Sequence, residues 1–527
     1  MNETQPDQQK KPDKSGGLLA STGLVGILTL LSRVLGLVRD IVFARLLGAS
    51  AGTDAFFVAF RIPNFLRRLF AEGAFNQAFV PVLSEYRARG VPAATQALVN
   101  HVAGALGGVL MLVTLLGVAG ASLLIWVFAP GFGDDPVQRA LATEMLRLTF
   151  PYLFFISLVA FAGGILNSWG RFAVPAFTPV LLNLCLIGAA LFVTPHFAEG
   201  RQAVALAWGV LVAGIVQLLF QLPFLANLGL LPRPAMAWDD PGVRRILGLM
   251  APAIFGVSVS QINLLLDTVL ASFLETGSVT WLYYSDRLNE LPLGVFGIAI
   301  ATVILPSLSR KHAAASTESF SRTLDWALKM VLVLGVPAAV ALSVLAEPLL
   351  GALFQYGQFT AVDVHYAAMS LRAYSGGLLA FMLIKVLATG YFSRQDTKTP
   401  VKIGIIAMVA NMVLNLLLVW HLNHAGLALA TAASAWLNTF LLYRGLADAG
   451  VYRPGPGWGP FLIRQLAAVT VMGLLVWWLS GQTDAWYVAP ALERAGYLAG
   501  LVLAGAGTYV AMLWLGGLRP VHLKRVD

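Results

Sequence analysis

Apolar stretches of roughly 20 residues, the length that crosses a bilayer as helix, recur along the whole chain between short polar connections. Fourteen can be marked, near 21–47, 54–84, 98–128, 140–168, 177–194, 203–228, 243–274, 281–309, 322–346, 364–392, 401–420, 424–446, 461–480 and 492–516. Each is too long and too uniformly apolar for the alternating strands of a membrane barrel. The pattern predicts an all-α polytopic membrane protein of about 14 transmembrane helices. Glycine and proline inside the runs suit this, because small residues let helix backbones approach closely.

Lysine and arginine in the connections set the orientation. Taking alternate connections, one set holds twenty-one of them, including Arg87, Arg89, Arg244, Arg245, Arg310 and Lys311. The other set holds four: Arg45, Arg139, Arg201 and Arg494. The asymmetry predicts that both termini are cytoplasmic. It also supports the helix count, since a miscounted span would scramble the alternation. The net charge of +9 is then mostly a topology signal, and no nucleic-acid partner is needed to explain it. Composition agrees, with 58% hydrophobic and 12% charged residues and a mean hydropathy of +0.76.

Residues 1–17 read as a polar cytoplasmic tail. Lys10, Lys11 and Lys14 before Leu18–Leu31 resemble a signal peptide. Arg33 and Arg39-Asp40 follow where a small-x-small cleavage site would stand, so the segment is expected to remain as the first helix. The single cysteine, Cys185, permits neither an intrachain disulfide nor a cysteine metal cluster.

The chain repeats itself at a long offset. Asp40–Leu47 and Asp267–Leu274 share the pattern D-x-V-x-A-x-x-L. Val80-Pro-Val-Leu-Ser84 then matches Leu305-Pro-Ser-Leu-Ser309, with Asn64 and Asn289 at similar distances before the prolines. Helices one and two thus correspond to seven and eight, giving two pseudo-symmetric six-helix lobes. The expected divisions are an N-lobe at 18–230, a C-lobe at 231–450, and a C-terminal helix pair with tail at 451–527. An even number of spans per lobe keeps both lobes in one orientation, the arrangement that supports rocking about a central site.

Charges inside the runs are the candidate chemistry. An arginine at the centre of a membrane helix costs about 2.5–3.5 kcal/mol on insertion scales, so such residues mark a water-accessible, functional interior. Arg33 and Asp40 are seven apart and share a helix face, with Arg39 pointing elsewhere. Asn64, Arg68, Glu72 and Asn76 step by four, and Arg68 can pair with Glu72. Asp286 and Glu290 are four apart in the eighth helix, and Arg287 lies between them. Asp54 opens the second helix as a candidate N-terminal cap or gate partner. Arg33, Arg39, Arg67 and Arg287 are the candidate anion grip, because a guanidinium stays charged when buried and its planar fork matches two phosphate oxygens; the alternative is buried ion pairs that lock helices together, with Asp40, Glu72, Asp286 and Glu290 as partners. Asp40, Asp54, Arg68, Glu72 and Glu290 are the gate or structural charges. Asp267 with Asn411, Asn415 and Thr431 forms a candidate site for a monovalent cation or proton, or a hydrogen-bonded cluster between helices.

The segments SRVLGLVRD, GTDAFFVAFRIPNFLRRLFAEGAFNQAFVPVLSEY and YYSDRLNELPLGVFGIAIATVILPSLS strongly resemble the MurJ/MviN family of lipid II flippases. That family belongs to the multidrug/oligosaccharidyl-lipid/polysaccharide exporter superfamily. The resemblance covers nearly the full length, including the six-plus-six repeat and two extra C-terminal helices. It implies a transporter, not an enzyme, in the bacterial cytoplasmic (inner) membrane. Its cargo would be lipid II, the undecaprenyl-pyrophosphate-linked peptidoglycan precursor, moved from inner to outer leaflet by alternating access in support of cell-wall synthesis. The family's functional arginines fall on Arg33, Arg39, Arg67 and Arg287, and its acidic position on Asp54. The last two helices would border a groove for the polyprenyl tail. Expected partners are lipid II, membrane lipids and the cell-wall synthesis machinery. No cofactor is expected, and no Walker A pattern or soluble domain offers a nucleotide site. Coupling to a monovalent cation, a proton or the membrane potential remains to supply the energy.

Other motifs have plainer explanations. Asp135-Pro136 and Asp240-Pro241 read as helix openings, not as paired metal-binding acids. His421-x-x-His424 lacks a cysteine or carboxylate neighbour and is not a metal candidate. An exporter of another polyprenyl-linked glycan is the alternative on the same fold. A multidrug exporter fits less well, because cationic drugs call for carboxylates where this chain places arginines.

Overall fold

The computed structural model describes residues 14–69, 75–314, 316–481, 486 and 489–518, without the side chains of 14–22, 251–253, 255–261 and 298. It is built of helices, with no strand among the described residues. The first half contains α1 (Lys14–Leu47), α2 (Ala51–Arg67), α3 (Asn76–Ala88), α4 (Pro92–Ala119), α5 (Ala121–Phe128), α6 (Pro136–Thr149), α7 (Tyr152–Ser168), α8 (Ala173–Gly188) and α9 (Val204–Asn227). The second contains α10 (Pro241–Ala271), α11 (Ser278–Pro292), α12 (Ile298–Ala313), α13 (Thr317–Val344), α14 (Ala346–Phe354), α15 (Ala361–Phe392) and α16 (Lys398–Asp448). A final pair, α17 (Trp458–Ser480) and α18 (Ala491–Leu515), follows.

Every predicted run coincides with one or two of these helices. Ten helical stretches among the described residues are long and apolar enough to cross a membrane. One of them, α16, contains two predicted runs, divided at Asn423, whose φ is 49°; asparagine is one of the few non-glycine residues enriched at positive φ. The runs on α1, α2–α3 and α10 lie outside the ten, and α1 and α2 carry three of the four candidate arginines, Arg33, Arg39 and Arg67.

Local chemistry sets many of the ends. The Asp135 carboxylate accepts from the Val137 and Gln138 N–H groups at 2.9 and 3.1 Å. Asp240 does the same for Gly242 and Val243 at 2.8 and 3.1 Å. Both Asp-Pro sequences therefore open helices, satisfying backbone donors that have no partner within the helix. Pro151 and Pro292 mark breaks inside predicted runs, the second before a widened turn at Leu293–Gly297. A proline lacks the N–H that would continue the ladder.

The repeat is visible in the packing. In the first half α1 packs on α8, α2 on α6, and α7 on α9. In the second, α10 packs on α16, α11 on α15, and α15 on α16. These pairs occupy corresponding places in the two copies, so both lobes follow one plan. The C-terminal pair packs against α13 and α14. Polar contacts fasten both its ends: Asp325 accepts from Trp458 Nε1 at 2.7 Å, and Arg494 Nη1 donates to Gln355 Oε1 at 2.6 Å.

The buried core is continuous at one end and divided at the other. Toward the Lys/Arg-poor end a single apolar cluster joins Phe43, Phe56 and Tyr152 of the N-lobe to Tyr284, Leu350 and Leu371 of the C-lobe. Toward the Lys/Arg-rich end the core splits. One cluster holds Phe79, Val99 and Ile165 with the start of α10, and another holds Leu308, Leu324 and Leu387. The lobes thus share one broad apolar core at one end, whereas at the other the apolar crossing is made by the start of α10 against α3 and α4.

Candidate functional site

Where the common core ends, polar side chains take over the lobe interface. Arg39 and Asp40 of α1 are 5% and 2% exposed. Arg39 donates from Nε and Nη2 to Asp40 Oδ1 at 2.9 and 2.6 Å. Its Nη1 donates to Asn183 Oδ1 of α8 at 3.1 Å, and Nη2 donates to the Tyr283 hydroxyl of α11 at 2.8 Å. Tyr283 in turn donates to Asp40 Oδ1 at 3.1 Å, and Arg287 Nε lies 3.3 Å from Asp40 Oδ2. A buried guanidinium and carboxylate thus meet a second guanidinium across the interface, the kind of mutual pairing that makes intramembrane charge tolerable. The long Arg39 side chain reaches around α1 into the space that Arg33 and Asp40 also face, so these residues are not separated as helix position alone suggested.

Two adjoining cavities flank this cluster. One, of about 420 Å³, is lined by Arg33, Arg39, Asp40, Asn183, Arg287 and Glu290 among others. The second, of about 310 Å³, shares Arg39, Arg287 and Glu290 and adds Arg61, Arg67 and Arg68. All four arginines singled out for an anion grip therefore line one region between the lobes. Arg67 is oriented by Asn64, whose Oδ1 accepts from its Nε at 3.0 Å. Arg287 also contacts Glu290 at 3.2 Å. Arg33 packs against Gly294 of the C-lobe so closely that any side chain there would strike its guanidinium. Arg61, which the sequence left without a role, donates to Thr268 Oγ1 of α10 at 2.8 Å and so crosses the interface. Glu72 lies outside the described residues, and its pairing with Arg68 with it.

Asp54 resolves as a bridge between lobes. The cap of α2 is Ser50, whose Oγ accepts from the Thr53 N–H. The Asp54 carboxylate, 2% exposed, turns to the start of α11. It accepts from Gly277 N–H at 2.6 Å, Thr280 N–H at 2.9 Å and the Thr280 hydroxyl at 2.5 Å. A carboxylate at a helix N-terminus satisfies unpaired donors and the positive end of the helix dipole together.

The candidate ion residues also come together. Asn415 Nδ2 donates to Asp267 Oδ1 at 2.7 Å and to Asn411 Oδ1 at 2.9 Å, and Asn411 Nδ2 donates to Thr431 Oγ1 at 3.3 Å. The hydrogen-bonded cluster is thus present. The Asn415 oxygen is buried without a hydrogen-bond partner among the described residues. At the far side, α13 and the C-terminal pair border an apolar cavity of about 760 Å³, lined by residues such as Leu334, Pro337, Met472, Leu501 and Trp514.

Outside the membrane spans, Glu85 of α3 receives Arg245 of α10 at 2.6 and 2.9 Å, and that hydrogen bonding holds its carboxyl below the usual range. Sequence reasoning missed Asn183, Tyr283 and Thr280. An asparagine inside the otherwise apolar 177–194 run was the available signal for the first; the others gave none that separates them from ordinary interface residues.

Matched helical lobes, sealed at one end and lined with guanidinium groups between, define a membrane transporter. Comparison with known proteins narrows this. A family model described as "Lipid II flippase MurJ" matches residues 43–495. A protein of Vibrio cholerae named "Probable lipid II flippase MurJ" is 53% identical over 515 residues, covering 96% of this chain and 98% of its own. One of Burkholderia cenocepacia named "Lipid II flippase MurJ" is 43% identical, covering 94% and 97%. A solved structure titled "Lipid II flippase MurJ, inward closed conformation" superposes with a TM-score of 0.78 at 26% identity, over 93% of this chain and 97% of that one. An inward-facing multidrug resistance MATE transporter of the MOP superfamily has a TM-score of 0.63 at 15% identity, over 81% and 98%, which shows a shared fold. The chain belongs to the lipid II flippase MurJ family.

Proposed function

We propose that this protein translocates lipid II, carrying the pyrophosphate head through the space between its lobes while the polyprenyl tail stays in lipid. The observation that carries this is the convergence of Arg39 from one lobe and Arg287 from the other on shared cavities that Arg33 and Arg67 also line. Guanidinium groups bind phosphate oxygens in a planar, charge-assisted fork, and here they come from two bodies able to move relative to one another. The apolar cavity beside α17 and α18 suits the hydrocarbon tail.

Transport runs by alternating access from the inner to the outer leaflet of the bacterial cytoplasmic membrane, with the Lys/Arg-rich end and both termini in the cytoplasm. The Asp54 contacts close the outer side while cargo loads from within. Energy comes from the membrane potential, worth about 2.3 kcal/mol per charge per 100 mV, or from a proton or monovalent cation at Asp267. The unpartnered Asn415 oxygen beside that carboxylate supports such a ligand. Membrane lipids surround the protein, and the cell-wall synthesis machinery consumes its product.

The test replaces Arg39, Arg67 and Arg287 by alanine, one at a time, in a lipid II translocation assay and in rescue of flippase-depleted cells. Each variant, expressed normally, is expected to lose activity. Full activity in all three would sink the anion-grip proposal.

A further inference from the structure

An arginine offers five N–H donors in a fixed plane. In this state Arg39 commits four: two to Asp40, one to Asn183 and one to Tyr283. A two-point grip on a phosphate needs two parallel donors. Arg39 as found retains one, so a partner must leave before it can hold its cargo that way.

The partners differ in which body they belong to. Asp40 is the next residue on α1. Asn183 sits on α8, which packs along α1. Its Nδ2 also donates to the Ser32 carbonyl at 2.9 Å, fixing the amide to the same helix. Both travel with Arg39 in any lobe movement. Tyr283 alone belongs to the opposite lobe. Its ring stacks on Phe57 with centroids 3.9 Å apart, and its hydroxyl reaches Arg39 only while the lobes are together.

We propose that Tyr283 is a removable blocking group on Arg39 and that Asn183 is its permanent positioning residue. This rests on the reading of Arg39 as an anion-binding group. When the lobes part at this level, the Tyr283 hydroxyl withdraws and frees an N–H on Nη2. Nη1 already has one free, so a two-point fork forms in the orientation set by Asn183. When the lobes close, the hydroxyl competes with cargo for the same donor. Anion affinity is thereby tied to lobe separation, and a ligand that binds one state better shifts the equilibrium toward it.

The experiment measures binding of a polyprenyl pyrophosphate to the detergent-purified full chain, together with lobe separation by spin labels at Ser84 and Arg310 in a Cys185→Ser background. Tyr283→Phe removes the hydroxyl and keeps the ring. It is expected to tighten binding about three- to tenfold, the net value of one hydrogen bond, and to shift the label distances outward. Asn183→Leu is expected to weaken binding several-fold without moving the labels. A purely structural role for Tyr283 predicts the opposite sign, weaker binding with a lower melting temperature, and that result or unchanged affinity overturns the proposal. Weaker binding with shifted labels in Asn183→Leu overturns the positioning role. Arg39→Ala separates the two levels: if it binds as wild type does, the pyrophosphate site itself is misplaced.

Discussion

Asp40 and Asp267 occupy matching places in the two halves of the repeat, yet they are held in different ways. Asp40 is gripped by Arg39 beside it and by Tyr283 and Arg287 from the other lobe. Asp267 is held by Asn415, within its own lobe. Asp54 behaves like Asp40, since its donors Gly277 and Thr280 lie across the interface. Asp40 and Asp54 thus bind the lobes to each other, and Asp267 binds its lobe to itself. One packing plan has diverged into a cation-rich contact between lobes and an amide-lined cluster within one lobe. That division suits a carrier in which one centre handles the anionic cargo and the other keeps its structure through the cycle.

The comparison is broken most severely by Arg39→Ala. It removes the main partner of a carboxylate that is 2% exposed. Truncating one member of a buried pair costs about 3–5 kcal/mol. Lipid II translocation in proteoliposomes should fall by about 100-fold or more, and melting temperature should drop. Transport within twofold of wild type would remove Arg39 from the mechanism. Asp54→Asn comes next. An amide loses the charge that draws three donors from the start of α11, and a hydrogen bond to a charged group is worth about 1.5–3 kcal/mol. Maleimide labelling of a Ser278→Cys reporter, buried in the closed seal, should rise by about tenfold or more. Unchanged labelling would mean that the seal rests on apolar packing alone.

Much of this was legible in the chain, for physical reasons that also mark the limit. Membrane-length runs and the Lys/Arg asymmetry follow from solvent and topology, which act on each segment alone. The D-x-V-x-A-x-x-L match placed Asp40 and Asp267 in register, and their helices pack on corresponding partners, α1 on α8 and α10 on α16. Arginines in apolar helix announce themselves by their cost, so Arg33, Arg39, Arg67 and Arg287 could be named beforehand. Which partner each would take could not. Asp54 might as well have capped its own helix as bonded to α11, until the position of α11 was known. Tyr283 lies 243 residues from Asp40, and no local rule connects them. Arg61 was visible as a charge and invisible as a link to Thr268. Side-chain partnership across lobes is a tertiary fact, and periodicity carries no record of it.

Asp267→Asn tests the other half of the comparison. The amide is nearly isosteric, and its oxygen can still accept from Asn415. Binding of a polyprenyl pyrophosphate should stay within about twofold of wild type. Turnover should slow by about tenfold, or 1.4 kcal/mol, because a centre able to carry a coupling charge has been neutralised. A binding loss as large as that of Arg39→Ala would erase the distinction between the two acids.

The smallest effect belongs to Glu85, an N-lobe acid that also bonds across to α10 but does so in water. Arg245 holds its carboxyl below the ordinary range through a direct hydrogen bond. A lowered carboxylate contributes stability above its unfolded value, about 4.3, and loses it as pH falls through the lowered one. The contact is therefore intact at neutral pH and fades only in acid. Solvent and salt screen a pair this exposed. Glu85→Gln at pH 7 should change transport by less than about twofold, with lobe distances from labels at Ser84 and Arg310 unmoved. Should Glu85→Gln instead open the lobes as far as Asp54→Asn, crossing the interface would matter more than burial. The contrast between Asp40 and Asp267 would then turn on partner location alone.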